Sequence, residues 1–365
     1  MTRRTLLLSP SFVFAQTAKA QGSLAQGVQA DKPRWRDLAP GPGVYPTGPW
    51  NAITDVEGVR VGHLTLVEGA RIRTGVTAIL PHGGNFFQNK VAGNVFVANA
   101  FGKLAGSTQV QELGTIETPI LLTNTLAVGL AVDALVRYTL AQAGNENVRS
   151  VNALVGETND GQLNDIRSLP LKTEHFLRAI ADAKTGPVAE GSVGAGTGTV
   201  CFGWKGGIGT ASRRTPQGWT LGVLLQSNFG GYLTMGGVPV HQYLSPPERN
   251  GGDGSCMIVV ATNAPLTSRD LQRLAARAAF GIARTGSAYT HGSGDYAIAF
   301  STNREAPTAS ERLSPLFEAA LEATEEAVYN SLLQARVTPP SSSVRPVEEL
   351  PLERLRPLLA SLRPK

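Results

Sequence analysis

The sequence predicts an α/β layered fold, with helices packed on two sheets. Strand-like and helix-like stretches are mixed along the chain, so both kinds of element must share one core. They follow no regular strand–helix–strand period, and there is no internal repeat. Glycine is abundant, 41 of 365 residues, which points to many tight turns and close backbone approaches rather than to a helical bundle.

Residues 1–20 are read as an export signal. Arg3 and Arg4 give a charged start, residues 6–15 a short apolar region, and Ala18-Lys19-Ala20 a small-residue cleavage site. The start also resembles a twin-arginine signal, so export of the folded protein to the periplasm is expected. Removing Arg3, Arg4 and Lys19 takes the formal charge from +5 to +2. Near neutrality argues against nucleic acid or an acidic membrane surface as partner.

Residues 21–50 carry scattered prolines and read as an extended arm without a core of its own. Residues 51–63 alternate apolar and polar around a turn, the pattern of a hairpin. Residues 74–80 and 94–100 read as strands. Residues 126–141 are almost wholly apolar and rich in helix formers; they are too short for a bilayer and predict a buried helix. A strand is expected over 152–155, and a helix over 173–184 that stops at Gly186-Pro187. Residues 191–198 form a glycine-rich loop, and residues 200–204 and 219–226 read as strands.

Residues 256–262 form another strand. Thr267 or Ser268 then caps a helix whose stripe is Leu271, Leu274, Ala275, Ala278 and Ile282. A strand over 296–301 precedes a long helix from Ser314-Pro315 to near Arg336. Residues 338–346 read as a linker, and residues 350–362 as a docking helix. Cys201 and Cys256 both sit in apolar strand-like runs and are expected as buried free thiols.

The stretch from Asn250 to Val260 organises the rest. Turn-forming residues end abruptly at Ser255, which opens an apolar strand. One reading is a self-cleavage site between Gly254 and Ser255. Glycine can twist its carbonyl toward the Ser255 hydroxyl. Scission would give Ser255 an α-amine of pKa roughly 8, a base held beside its own hydroxyl. The other reading is an Asp-Gly turn before an ordinary strand.

Other chemistries fail on spacing. Gly194 to Gly198 fits neither the dinucleotide fingerprint nor the phosphate-binding loop. His63, His82, His175, His241 and His291 lack zinc-ligand spacing, and no G-x-S-x-G elbow is present.

Residues 36–337 resemble the family of L-aminopeptidase/D-esterases and β-peptidyl aminopeptidases. The resembling motifs are Asn51-Ala52-Ile53-Thr54-Asp55-Val56, Arg73-Thr74-Gly75-Val76-Thr77, Glu157-Thr158-Asn159-Asp160 and Leu163-Asn164-Asp165. Gly186 to Gly191, Gly194 to Gly198 and Lys205 to Thr210 continue the series. Gln226-Ser227-Asn228, Gly254-Ser255, Ala261 to Leu266 and Gly292-Ser293-Gly294-Asp295 complete it.

The resemblance implies a four-layer αββα sandwich like that of N-terminal nucleophile hydrolases, with different connectivity. A single catalytic domain over residues 51–337 would be cleaved between Gly254 and Ser255 into two chains that stay together. It implies hydrolysis of the N-terminal residue from small peptides, amides or esters, D- or β-residues included. No metal or organic cofactor is implied, and processed units are expected to form a homo-oligomer.

Carried over residue by residue, Ser255 matches the nucleophile and Asn228 the oxyanion asparagine, a donor worth about 3 kcal/mol. Ser293 and Asp295 match the pair that orients the nucleophile and its amine. Asp295 stands where some members have glutamate, one methylene longer. Glu157 matches the carboxylate that binds the substrate's α-ammonium. Two rivals remain: an acyl transferase like the ornithine acetyltransferases, which self-process at threonine, and an unprocessed binding homologue.

Overall fold

The computed structural model describes residues 32–247, 254–305, 312–338 and 347–362. The expected export signal, residues 250–253 before the expected scission point, and nearly all of the expected linker lie outside the described residues.

The described residues open with a short helix α1 (Trp35–Leu38) and a 3-10 turn (Ile53–Asp55). Strands β1 (Arg60–Glu68), β2 (Ile72–Leu80), β3 (Val91–Ala100) and β4 (Leu104–Ala105) follow. Helix α2 (Ser107–Leu113) leads to β5 (Thr115–Ile116) and β6 (Ile120–Asn124). Then come α3 (Val128–Leu140), β7 (Leu154–Thr158) and α4 (Thr173–Ala181). A small ribbon, β8 (Val200–Cys201) with β9 (Trp204–Lys205), precedes β10 (Ile208–Arg214) and β11 (Thr220–Asn228). The remainder is β12 (Ser255–Thr262), α5 (Ser268–Arg284), β13 (Gly294–Ser301), α6 (Ser314–Leu333) and α7 (Leu352–Leu359).

Two sheets carry these elements. One has the order β1-β2-β6-β7-β4, the other β10-β11-β12-β13-β3-β5. Between them lies an apolar layer that includes Ile79, Leu122, Leu154, Leu224, Met257, Val259 and Ile298. The outer face of the first sheet packs Leu64, Val76 and Leu121 against Ala131, Leu135 and Phe176 of α3 and α4. The outer face of the second packs Cys256, Ile258 and Val260 against α5 and α6. Helices outside two face-to-face sheets make the αββα sandwich.

β12 explains why the run after Ser255 is continuously apolar rather than alternating. It is buried along its whole length, with odd residues in the layer between the sheets and even residues under the helices. Thr267 caps α5 as expected, its hydroxyl accepting the Asp270 N–H. Both cysteines are free and buried. α7 docks through Leu355 and Leu359.

Several local expectations are corrected. Residues 51–63 are not a hairpin. The Asp55 carboxylate accepts the N–H groups of Trp50 and Ala52 and closes a 3-10 turn instead. Ile53, Val56 and Val59 are all buried, so the apparent alternation does not mark two faces. The hairpin is one element later, with β1 and β2 paired from Arg60–Leu80 to Glu68–Ile72. Residues 200–204 are not one strand, because positive φ at Phe202 and Gly203 (53° and 80°) turns the chain between β8 and β9. The helix expected buried over 126–141 buries only one face, leaving Leu126 and Leu140 exposed. The N-terminal arm is not merely extended, since α1 sinks Trp35 and Leu38 into the main core.

Among the described residues no helix is long and apolar enough to cross a membrane.

Candidate active site

Three neighbouring strands bring the site together. Asn228, the last residue of β11, stands opposite Ser255, the first of β12; Ser255 in turn pairs with Gly294 at the start of β13. In the next register position Cys256 pairs with Asp295. Residues far apart in sequence thus meet at one strand end.

Gly254 shows why this position is glycine, and the reason is not the one expected. Its φ is not positive. A Cβ there would lie 2.7 Å from Phe229 Cα and 2.8 Å from the Asn228 carbonyl oxygen, so close approach excludes any side chain. The Gly254 carbonyl accepts the Gly294 N–H at 3.1 Å. That donor polarises the bond next to the Ser255 hydroxyl.

Ser255 and Gly254 open onto a cavity of about 310 Å³. Asn228, Glu157, Thr125, Lys103 and Phe101 also line it. Glu157 comes from β7 of the other sheet, so the cavity bridges the two sheets. It is only 2% exposed. Its Oε1 accepts the Lys103 backbone N–H at 3.0 Å, its Oε2 the Thr125 hydroxyl. The Lys103 Nζ lies 3.6 Å from Oε1.

The Asn228 amide is held at both ends. Oδ1 accepts the Val200 N–H at 2.9 Å, and Nδ2 donates to the Asn159 carbonyl at 3.1 Å. One N–H of Nδ2 remains for the cavity.

Ser293 and Asp295 do not line the cavity. Strand alternation puts Asp295 on the helix-facing side of β13, with Cys256 and Ala297, in register with Cys256 and one position on from Ser255. Burial pushes the Asp295 carboxyl up to about 6, opposed by a hydrogen bond from Ser293. Its Oδ2 is buried without a hydrogen-bond partner. A buried carboxylate oxygen with no partner has room for a donor or a cation.

Sequence reasoning missed the residues that support this arrangement. Lys205 is 2% exposed and donates to the carbonyls of Gly196, Thr199 and Gly206 at 3.0, 3.0 and 2.7 Å. Burial lowers its ammonium to about 7, against the opposing charge of Asp160. Asp160 is itself pushed up to about 7, again by burial. Lys205 holds the glycine-rich loop just before Val200, and Asp160 accepts the Asn164 side chain within the turn that follows Asn159. The motif Lys205-Gly206-Gly207 was visible, but burial of its lysine could not be read from spacing. Lys103 and Thr125 sit in no motif at all.

Among the described residues no group of three or more histidine, cysteine, aspartate or glutamate side chains could hold a metal ion.

Residues 51–343 match the model of peptidase family S58. The β-peptidyl aminopeptidase BapA of Sphingosinicella microcystinivorans is 40% identical, covering 93% of this chain and 95% of its own. A β-aminopeptidase structure from Burkholderia sp. superposes with a TM-score of 0.83 at 40% identity, covering 91% of this chain and 100% of that one. The L-aminopeptidase D-Ala-esterase/amidase of Ochrobactrum anthropi is described as a prototype of the serine aminopeptidases and a variant of the Ntn hydrolase fold. It superposes with a TM-score of 0.82 at 37% identity, covering 90% and 99%. On a match that spans most of its length, the chain belongs to peptidase family S58 and is a hydrolase of the aminopeptidase class.

Proposed function

We propose that the chain is a self-processing serine aminopeptidase that uses Ser255 twice, first on its own backbone and then on substrate. The observation that carries this reading is the junction itself. Ser255 begins a fully buried strand, the Gly254 carbonyl is hydrogen-bonded by Gly294, and both residues face a cavity that contains the buried carboxylate of Glu157.

In processing, the Ser255 hydroxyl attacks the Gly254 carbonyl, whose oxygen already has a donor in Gly294. The amide becomes an ester, and water then releases the Gly254 carboxylate and a free Ser255 hydroxyl and α-amine. That amine, with a pKa of roughly 8, serves as the base in later cycles. Asp295, backed by Ser293, holds it from behind.

In turnover, the substrate's ammonium sits at Glu157 and its carbonyl over Ser255. The free N–H of Asn228 stabilises the oxyanion, a contribution of about 3 kcal/mol. Hydrolysis of the acyl-enzyme by water releases the N-terminal residue. The β-residues named in the relatives' descriptions fit a cavity that spans from one sheet to the other.

Export to the periplasm through the Arg3-Arg4 signal, and assembly of processed units into a homo-oligomer, complete the proposal. Mass spectrometry of protein from the periplasmic fraction is expected to find two chains. The smaller begins at Ser255 and the larger after Ala20; light scattering reads the oligomer. Ser255→Ala is expected to remain one uncleaved, inactive chain. Two chains of unchanged mass in that variant would refute self-processing by Ser255.

A further inference from the structure

The ammonium site of this cavity is not a lone carboxylate. Glu157 is accompanied by the Lys103 ammonium, 3.6 Å from the same oxygen that accepts the Lys103 backbone N–H. The two side chains are unequal: that of Glu157 is 3% exposed and immobilised by Thr125, whereas that of Lys103 is 54% exposed on the cavity wall. Among the described lining residues these are the only two that carry charge.

This pairing has a cost for a simple amine. A substrate ammonium that docks on Glu157 arrives within a few ångströms of a second cation, and like charges at that separation disfavour each other. The repulsion disappears if the incoming group brings its own anion. An ammonium and a carboxylate on the same carbon, or one carbon apart, are as close together as the charges of Lys103 and Glu157. Set against that pair they alternate in sign, ammonium on Glu157 and carboxylate on Lys103. Lys103 has the reach for this, because its stem is flexible and its head is exposed.

We propose that the cavity selects substrates whose N-terminal residue carries a carboxylate beside its free ammonium, and that Lys103 is the residue that reads the carboxylate. The β-aspartyl residue is the clearest case. Its α-carboxylate and α-ammonium share a carbon, and its scissile carbonyl is one methylene away, which makes it a β-residue by connectivity. The α-aspartyl residue carries the same two charges one carbon further apart. The inference rests on the aminopeptidase reading above and adds a substrate class to it.

Four p-nitroanilides test it with the processed enzyme: β-aspartyl, the same compound with its α-carboxylate converted to a carboxamide, α-aspartyl and β-alanyl. The carboxamide keeps the shape and removes the charge. The wild type is expected to favour β-aspartyl over its carboxamide by about tenfold or more in kcat/KM, the size of one charge-assisted contact. Lys103→Met and Lys103→Gln are expected to bring that ratio to about one. If α-aspartyl anilide shows the same dependence on Lys103, the site reads the paired charges. If only the β-compound shows it, the site also reads the position of the carbonyl; either result supports the proposal. A wild-type ratio of one or less, or a ratio unchanged in both variants, overturns it. Hydrolysis of the β-alanyl anilide in that event leaves the aminopeptidase reading intact, and hydrolysis of none of the four removes both.

Discussion

At the scale of single residues, burial decides what each candidate side chain does. Glu157 was legible as a carboxylate in a motif, but its use depends on being sealed between Thr125 and Lys103. A free amine adds to Glu157 a charge-assisted contact that an acetylated amine cannot make, about 1.5–3 kcal/mol or roughly tenfold to a hundredfold in rate. N-acetylated anilides are therefore expected to be poor substrates beside free amines. Glu157→Gln is expected to shrink the ratio of their kcat/KM values while processing continues, because processing has no ammonium to bind. An unchanged ratio would remove Glu157 from that role. Asp295 yields a pH prediction. Its carboxyl titrates near 6 rather than 3.8, pushed up by burial. A carboxyl with a raised folded-state pKa binds its proton more tightly when folded, so the fold loses stability as pH rises through the interval between those values. In the uncleaved Ser255→Ala chain, Asp295→Asn is expected to stabilise at pH 7 by on the order of 2 kcal/mol and to do little at pH 4, read from denaturant midpoints. If Asp295 partners a Ser255 ammonium as proposed, the same change in the processed enzyme is expected to lower kcat. Equal effects at both pH values would show that Asp295 is not an ionised, uncompensated group.

At the scale of elements, the catalytic strand ends are held by loops that looked like a ligand motif. The glycines of residues 194–198 do not cradle a phosphate; a Cβ on Gly198 would stand 2.1 Å from the Arg73 carbonyl oxygen, so the loop is glycine-rich because backbone packs on backbone. Lys205 ties that loop down through the Gly196 and Thr199 carbonyls, and Val200 at its end fixes Asn228. Lys205 is thus a positioning residue. Lys205→Met is expected to lower kcat about tenfold with KM within about twofold, since a misaligned oxyanion donor is felt in the transition state. In an Asn228→Ala background the same substitution is expected to cost little more. Additive losses in this double-mutant cycle would mean that Lys205 acts elsewhere.

At the scale of the whole molecule, scission after Gly254 would divide the core between two chains. β12 and β13 would belong to the smaller chain and yet lie between β11 and β3 of the larger. A buried ionic cluster crosses the same divide. Glu326 of α6 accepts from Arg213 of β10 at 2.7 Å, from Arg36 of α1 at 2.9 Å and from the Asn51 side chain at 2.6 Å. Arg213 and Glu326 are fully buried. Glu326→Ala leaves the Arg213 charge less compensated and is expected to cost about 3 kcal/mol, with the two chains parting at lower denaturant than in the wild type. An unchanged midpoint would assign the cohesion to the sheet and its apolar layer alone.

The sequence by itself determined which chemistry the chain carries. The Gly254-Ser255 junction, Asn228, Glu157 and Gly292 to Asp295 stand in collinear motifs; an apolar stripe and a cap placed α5, Ser314-Pro315 placed the start of α6, and unbroken apolar runs placed β12 and β13. The tertiary structure alone decided the rest. The strands Ile120–Asn124 and Ile208–Arg214 were not foreseen, since the first is only five residues long and the second is mostly small and polar residues that tertiary packing buries. Residues 51–63 read as a hairpin, but Asp55 closes their first part into a turn. Lys103, Thr125 and Lys205 acquire their roles from neighbours tens of residues away, through burial and charge that no spacing along one chain can express. A motif names the group that reacts. Only packing sets the dielectric, the hydrogen bonds and the neighbouring charge that tell the group what to react with.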